Sequence, residues 1–489
     1  MRRAPQKYNF GMTYTRAAIP EWSAAKGWSR ALLVAAAIAA PAVLFVGLAT
    51  HSWWLLLLLG GVAALAAWSL LDIRATFLVA VLMATFVDYN TGILTLEMTI
   101  VCCWLAWTAL LLYWRSAWNG WTQPPAEMLP GLAVWLGACA LGVAIGLLRG
   151  NSLRNLGLEL EAALWPAMGL GMMQAYGRKH AVYVGLGLIA IGLIHTGFGL
   201  TMLQIYQRRL GGIYFTTVTG MVAVMLWTAA LLAPRRSVRL FCLLAMIPML
   251  AHLLFSFTRG YWLGAIAGLT AASILAWHNL GRFEPAVRAR RLLLLPALLG
   301  IAAATLGLSV LYFGGGDLVD AIGGRFSSSF STQVSGETLS NVIRLSEYDT
   351  AIGAALKSPF VGNGLGYSIV TREPLLGSIK EQWFVHNYYI LLWLKLGIVG
   401  LVAFGYLVWR QIRAAKRVAD GDSSWLVRTA AITAIAVTVQ VLVILLTNYS
   451  LADVTTASVF AYVWGYFWAV RADDSRERRG IASAPDRVP

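Results

Sequence analysis

Charge is scarce in this chain of 489 residues: Asp, Glu, Lys and Arg supply 12% of it, against 59% hydrophobic residues. Apolar runs of about 20 residues recur from residue 31 onward, which excludes an ordinary soluble domain and predicts a polytopic α-helical membrane protein. The short alternating segments of a membrane barrel are missing, since runs such as Trp53-Trp-Leu-Leu-Leu-Leu-Leu-Gly do not alternate. Cysteine is also rare. Cys102, Cys103, Cys139 and Cys242 all fall inside apolar segments, so neither a disulfide framework nor a Cys-rich metal site is indicated. No cleavable signal peptide is expected, because the first apolar run is long enough to remain as a span.

The apolar segments run at roughly 31–49, 52–71, 75–94, 98–114, 129–148, 160–176, 181–203, 215–233, 239–257, 260–277, 292–313, 387–409, 429–449 and 452–470. Short or closely spaced members bring the expected number of crossings to between 12 and 14, an even number in either case. The formal charge of +16 would suggest nucleic acid in a soluble protein; here the question is which side of the membrane carries it. Alternating the segments puts 27 Lys/Arg on one side and 10 on the other, with Lys395 inside a span, out of 38 in all. The positive-inside rule then predicts cytoplasmic termini and an outward, periplasmic position for the one long polar segment. The expected organisation is a tail at 1–30, spans over 31–313, an outer segment at 314–386, spans over 387–470 and a tail at 471–489.

That outer segment carries Arg325, Arg344, Arg372 and His386, and a polar connector of this length between spans is usually functional. Glu337 to Leu356 reads as an amphipathic helix whose stripe of Val342, Leu345, Ile352, Ala355 and Leu356 should face the bundle, with Arg344 and Glu347 off it. Ser358-Pro359 stops it, and the glycine-rich turn Val361 to Gly366 lacks the context of a nucleotide loop. Earlier outer connectors hold Arg149 and Arg154, expected to pair locally with Glu159 and Glu161, and the adjacent Arg208 and Arg209. Arg259 sits in a tight turn between two apolar runs, where an unpaired guanidinium costs a few kcal/mol, so an anion is expected beside it. His51, His195 and His252 read as interface or buried residues. The last two spans show nothing catalytic.

Arginine suits phosphate because its planar fork makes two charge-assisted hydrogen bonds and keeps its charge. The outer segments have no Asp-x-Asp pair and no His/Cys spacing suited to a metal, so no metal and no cofactor are expected. Several arginines, one histidine and an adjacent membrane point to a lipid-linked anion as substrate. On a sugar carried by a polyprenyl pyrophosphate, the arginines would offset charge on the departing pyrophosphate and His386 would act as general base.

Thr258-Arg259-Gly260 between two spans, Arg344, Ser358-Pro-Phe-Val-Gly-Asn-Gly-Leu-Gly366, and His386-Asn-Tyr-Tyr followed by Leu394-Lys-Leu-Gly-Ile-Val-Gly400 together resemble the O-antigen ligase and polymerase superfamily. The resemblance covers roughly residues 200–410. It implies a metal-independent inverting glycosyltransferase related to the membrane GT-C class. In the ligase branch, the donor is O-antigen polysaccharide on undecaprenyl pyrophosphate and the acceptor is lipid A-core, at the periplasmic face of the inner membrane. Membrane lipids, not nucleic acid, are the surroundings it implies. Carried over residue by residue, the family's Arg-Gly arginine corresponds to Arg259, its loop arginine to Arg344 and its His-Asn histidine to His386, with Arg208 or Arg209 adding to the pyrophosphate site. Thr258 stands where the family often has Ser and keeps the hydroxyl. A polymerase of the same superfamily would need similar arginines, and a single dominant outer segment favours the ligase. A lipid-linked glycan transporter would instead show internal repeats and mid-membrane charged sites, which the sequence does not suggest.

Overall fold

A computed structural model describes residues 124–177, 180–206, 213–256, 258–280, 300, 336–372, 379–421 and 424–478. The four apolar segments before residue 115, and most of the one at 292–313, lie outside these. The described chain runs α1 (Leu129–Leu148), α2 (Leu153–Ala163), α3 (Trp165–Ala175), α4 (Ala181–Tyr206), α5 (Ile213–Leu232), α6 (Arg236–Phe255), α7 (Arg259–Leu280), α8 (Gly336–Leu356), β1 (Ile369–Arg372), β2 (Ile379–Gln382), α9 (Tyr388–Asp420), α10 (Trp425–Ile444), a 3-10 turn (Ser450–Ala452) and α11 (Val454–Arg478). Among these, α1, α6, α7, α9 and α10 are long and apolar enough to cross a bilayer. The two strands form an antiparallel hairpin with Ile369 opposite Gln382.

The segment at 160–176 is not one helix. Its chain bends at Leu164, and α3 starts there with Pro166 in its first turn, where a missing amide costs nothing. Each of the two resulting helices is 11 residues long, too short to span.

The predicted stripe of α8 is also turned. Ala351 and Ala355 are fully buried and Glu347 nearly so, while Val342, Leu345 and Leu356 are exposed. The helix lies against α9 through its smallest side chains, which permits close approach, and the bulky aliphatics face away. Of the expected stripe Ala355 is fully buried and Ile352 half-buried; hydrophobicity alone misplaced Val342, Leu345 and Leu356 because the inner side is chosen for size.

Two pieces of sequence form one joint. Gly397, with φ of 66°, breaks α9 within its first third and leaves helix carbonyls and amides without their usual partners. The turn after α8 takes up four of them. Asn363 N–H donates to the Leu394 carbonyl (2.8 Å) and Gly364 N–H to Lys395 (2.9 Å), while Ile398 and Val399 N–H donate to the carbonyls of Pro359 (2.9 Å) and Phe360 (3.1 Å). Non-helical backbone beside a membrane span survives only when its polar groups are satisfied in this way. On its other side the turn reaches α1, with Leu365 N–H on the Gly142 carbonyl (2.9 Å). Gly362, Gly364 and Gly366 all have positive φ, and a Cβ at Gly364 would stand 2.3 Å from the Gly146 nitrogen.

Beneath the joint, Lys395 pairs with Glu159 of α2, both buried, and also donates to the Tyr367 carbonyl. The second Glu159 oxygen accepts Gly366 N–H at 2.8 Å. The expected local pairing of Glu159 with Arg149 or Arg154 is therefore wrong: Arg149 instead donates to Asn363 Oδ1 (2.7 Å) and Ser358 Oγ (3.2 Å).

Candidate functional site

The site is assembled where α8, the start of α9 and the end of α10 meet. In His386-Asn-Tyr-Tyr, three of the four residues anchor the chain. Asn387 Oδ1 caps α9 by accepting the N–H of Tyr389 (3.0 Å) and Ile390 (3.1 Å), and its Nδ2 donates to the Leu446 carbonyl (2.9 Å). Tyr388 N–H donates to Leu445 and Tyr389 Oη to Leu442, so this segment is strapped to α10.

His386 is the member held by α8. Its Nδ1 lies 2.8 Å from Glu347 Oε2, its backbone N–H donates to Glu347 Oε1, and Tyr348 Oη donates to its carbonyl at 2.9 Å. Burial pushes the Tyr348 phenol up, with Arg344 acting in the opposite direction, so it remains a donor. The carboxylate is 3% exposed and the imidazole 27%. An ionised carboxylate has only acceptors, so a neutral imidazole facing one through Nδ1 carries its hydrogen there and keeps the lone pair on Nε2. Phe384 and Tyr449 stand edge-on to the imidazole, at 5.4 and 5.7 Å between ring centroids, and stack on each other at 4.4 Å. Trp383 closes this aromatic group, 5.6 Å from Phe384 and 6.1 Å from Tyr449.

Arg344 lies on α8 one turn before Glu347 and Tyr348, half-buried, on the helix that holds His386. Arg259 is the first residue of α7 and is half-buried too. Two residues on, Tyr261 Oη accepts from Asn448 Nδ2 at 2.7 Å, and Asn448 Oδ1 accepts Tyr449 N–H, also at 2.7 Å. A short polar and aromatic chain thus connects the first turn of α7 to the ring beside His386. The helix reaches this position through Gly264 and Gly268, whose small faces meet α10, and Gly260, which meets the turn after it; a Cβ at Gly260 would stand 2.1 Å from Thr447 Oγ1. Arg208, Arg209 and Arg325 lie outside the described residues. Arg372 ends β1.

Glu347, Tyr348, Asn448 and Tyr449 were not among the predicted site residues. Glu347 was legible only as a residue off the assumed stripe, and the segment after α10 held no motif, although it meets the site. The glycine spacing at 260, 264 and 268 was the available sign that α7 and α10 would pack closely. The five amides from Gly362 to Gly366 are all spent on protein acceptors, so that turn is a joint and not an anion cradle.

Five helices of spanning length among the described residues define a multi-pass α-helical membrane protein. Residues 210–405 match the family model described as O-antigen ligase. No curated protein matches the chain.

Proposed function

We propose that this protein is an O-antigen ligase, a metal-independent inverting glycosyltransferase of the membrane GT-C type. It moves O-antigen polysaccharide from undecaprenyl pyrophosphate to lipid A-core. The reaction takes place at the periplasmic face of a bacterial inner membrane, with both termini in the cytoplasm and the 314–386 segment outside. The observation that carries this reading is the partly exposed imidazole of His386, fixed through Nδ1 at the mouth of a span in the family-matched stretch.

In the proposed step, an acceptor-sugar hydroxyl loses its proton to His386 Nε2 as its oxygen attacks the anomeric carbon of the donor. The carbon–oxygen bond to pyrophosphate breaks, the anomeric configuration inverts, and undecaprenyl pyrophosphate leaves with the bonding electrons. Arg259 and Arg344, with Arg208 or Arg209, neutralise the charge that builds on that leaving group. A general base of this kind is worth about 10²–10⁴ in rate.

The test is glycan transfer by purified protein in detergent, given undecaprenyl-pyrophosphate polysaccharide and lipid A-core, with EDTA in excess. Transfer should survive EDTA and fall at least about 100-fold in His386→Ala. Near-native transfer by that variant would remove His386 as base. Lengthening of the lipid-linked glycan without transfer would make the protein a polymerase.

A further inference from the structure

We infer that Glu347 is the positioning residue of the reaction: it fixes the tautomer of His386 so that Nε2 faces the substrate as an acceptor. The inference rests on His386 being the base. Three observations converge on it. The Glu347 carboxylate is almost wholly buried on an otherwise small-residue face of α8, a position where a charge is kept only for a partner. Both of its oxygens are used on one residue, one on the backbone N–H of His386 and one on its Nδ1. The ring it orients is by contrast partly open to the outside.

An imidazole accepts a proton through one nitrogen only, and the hydrogen bond at the other nitrogen decides which. With a carboxylate on Nδ1, the hydrogen resides there, and the Nε2 lone pair is available to the acceptor hydroxyl. As the proton arrives on Nε2, the ring becomes a cation whose charge the buried carboxylate balances, and the proton leaves from Nε2 to solvent after transfer. Tyr348 also holds residue 386, but through its carbonyl and not through a ring nitrogen.

This separates two substitutions on neighbouring positions of α8. In Glu347→Gln the amide oxygen can still accept the backbone N–H, which turns the amide NH₂ toward Nδ1. The ring must then carry its hydrogen on Nε2, where it cannot act as a base. Tyr348→Phe loses one neutral hydrogen bond and leaves the tautomer unchanged. The experiment is steady-state transfer by the full-length protein in detergent, with kcat and the donor KM determined for both variants, Glu347→Asp and His386→Ala.

The expected result is a fall in kcat of at least about 100-fold for Glu347→Gln with the donor KM unchanged, partial recovery in Glu347→Asp, and a loss of no more than about fivefold in Tyr348→Phe. Native kcat in Glu347→Gln, a change confined to KM, or an equal loss in Tyr348→Phe would each overturn the assignment. If Glu347→Gln is active while His386→Ala is dead, only the positioning role falls. If His386→Ala is active, the base itself is wrong and the positioning role falls with it.

Discussion

Among the described residues, the stretch from α8 to His386 meets the spans at a joint and at the imidazole, and the two are built on opposite rules. At the joint between Ser358–Gly366 and the break at Gly397, every amide from Gly362 to Gly366 is matched to an acceptor, and the one charged pair, Glu159–Lys395, is closed inside. At His386 the same accounting, among the described residues, covers the backbone and Nδ1 and then stops, with the ring left partly exposed. Both regions are rich in recognisable sequence, so recognisability does not separate them. What separates them is whether any polar atom is left over for something other than the protein.

That contrast can be broken at the joint with the largest effect. Gly364→Ala should prevent accumulation of folded protein, because its Cβ meets the α1 backbone at a positive φ; the recovery of monodisperse protein measures it. His386→Asn, in the other region, should leave that recovery and the thermal midpoint unchanged while transfer falls at least about 100-fold. Next comes Lys395→Met, which strands a buried carboxylate and should cost about 3–5 kcal/mol in thermal unfolding in detergent. Adding Glu159→Gln to it should restore most of the loss, since the amide oxygen still takes Gly366 N–H. The smallest effect is expected from Asn387→Ala, which removes the cap of α9 and one strap to α10, at about 1 kcal/mol on the same scale.

The sequence made the spans legible wherever length and hydropathy were enough, as in α1, α6, α7, α9 and α10. His386 and Arg259 stood out at the ends of apolar runs and Arg344 within the polar segment, and the family match at 210–405 falls within the stretch expected from the motifs. Three things were hidden for physical reasons. The inner face of α8 is set by side-chain size, so its bulky aliphatics misled. The pairing of Glu159 with Lys395 bridges 236 positions, and nothing local distinguishes it from the nearer arginines. Glu347 is three residues from Arg344, but only the return of the chain through the β1–β2 hairpin brings His386 back to it.

The break at Gly397 has a consequence for how the chain is made. The turn that completes α9 precedes it in the sequence, so it leaves the ribosome first and must wait for a helix not yet synthesised. Until then its amides can be served by water, but the carbonyls of Leu394 and Lys395 and the amides of Ile398 and Val399 have no such option once their span is in lipid. Closing the joint is thus the event that turns two separately inserted pieces into one object. Because α8 runs from Glu347 almost directly into that turn, the residue that holds His386 is carried on the same piece of chain that closes the joint.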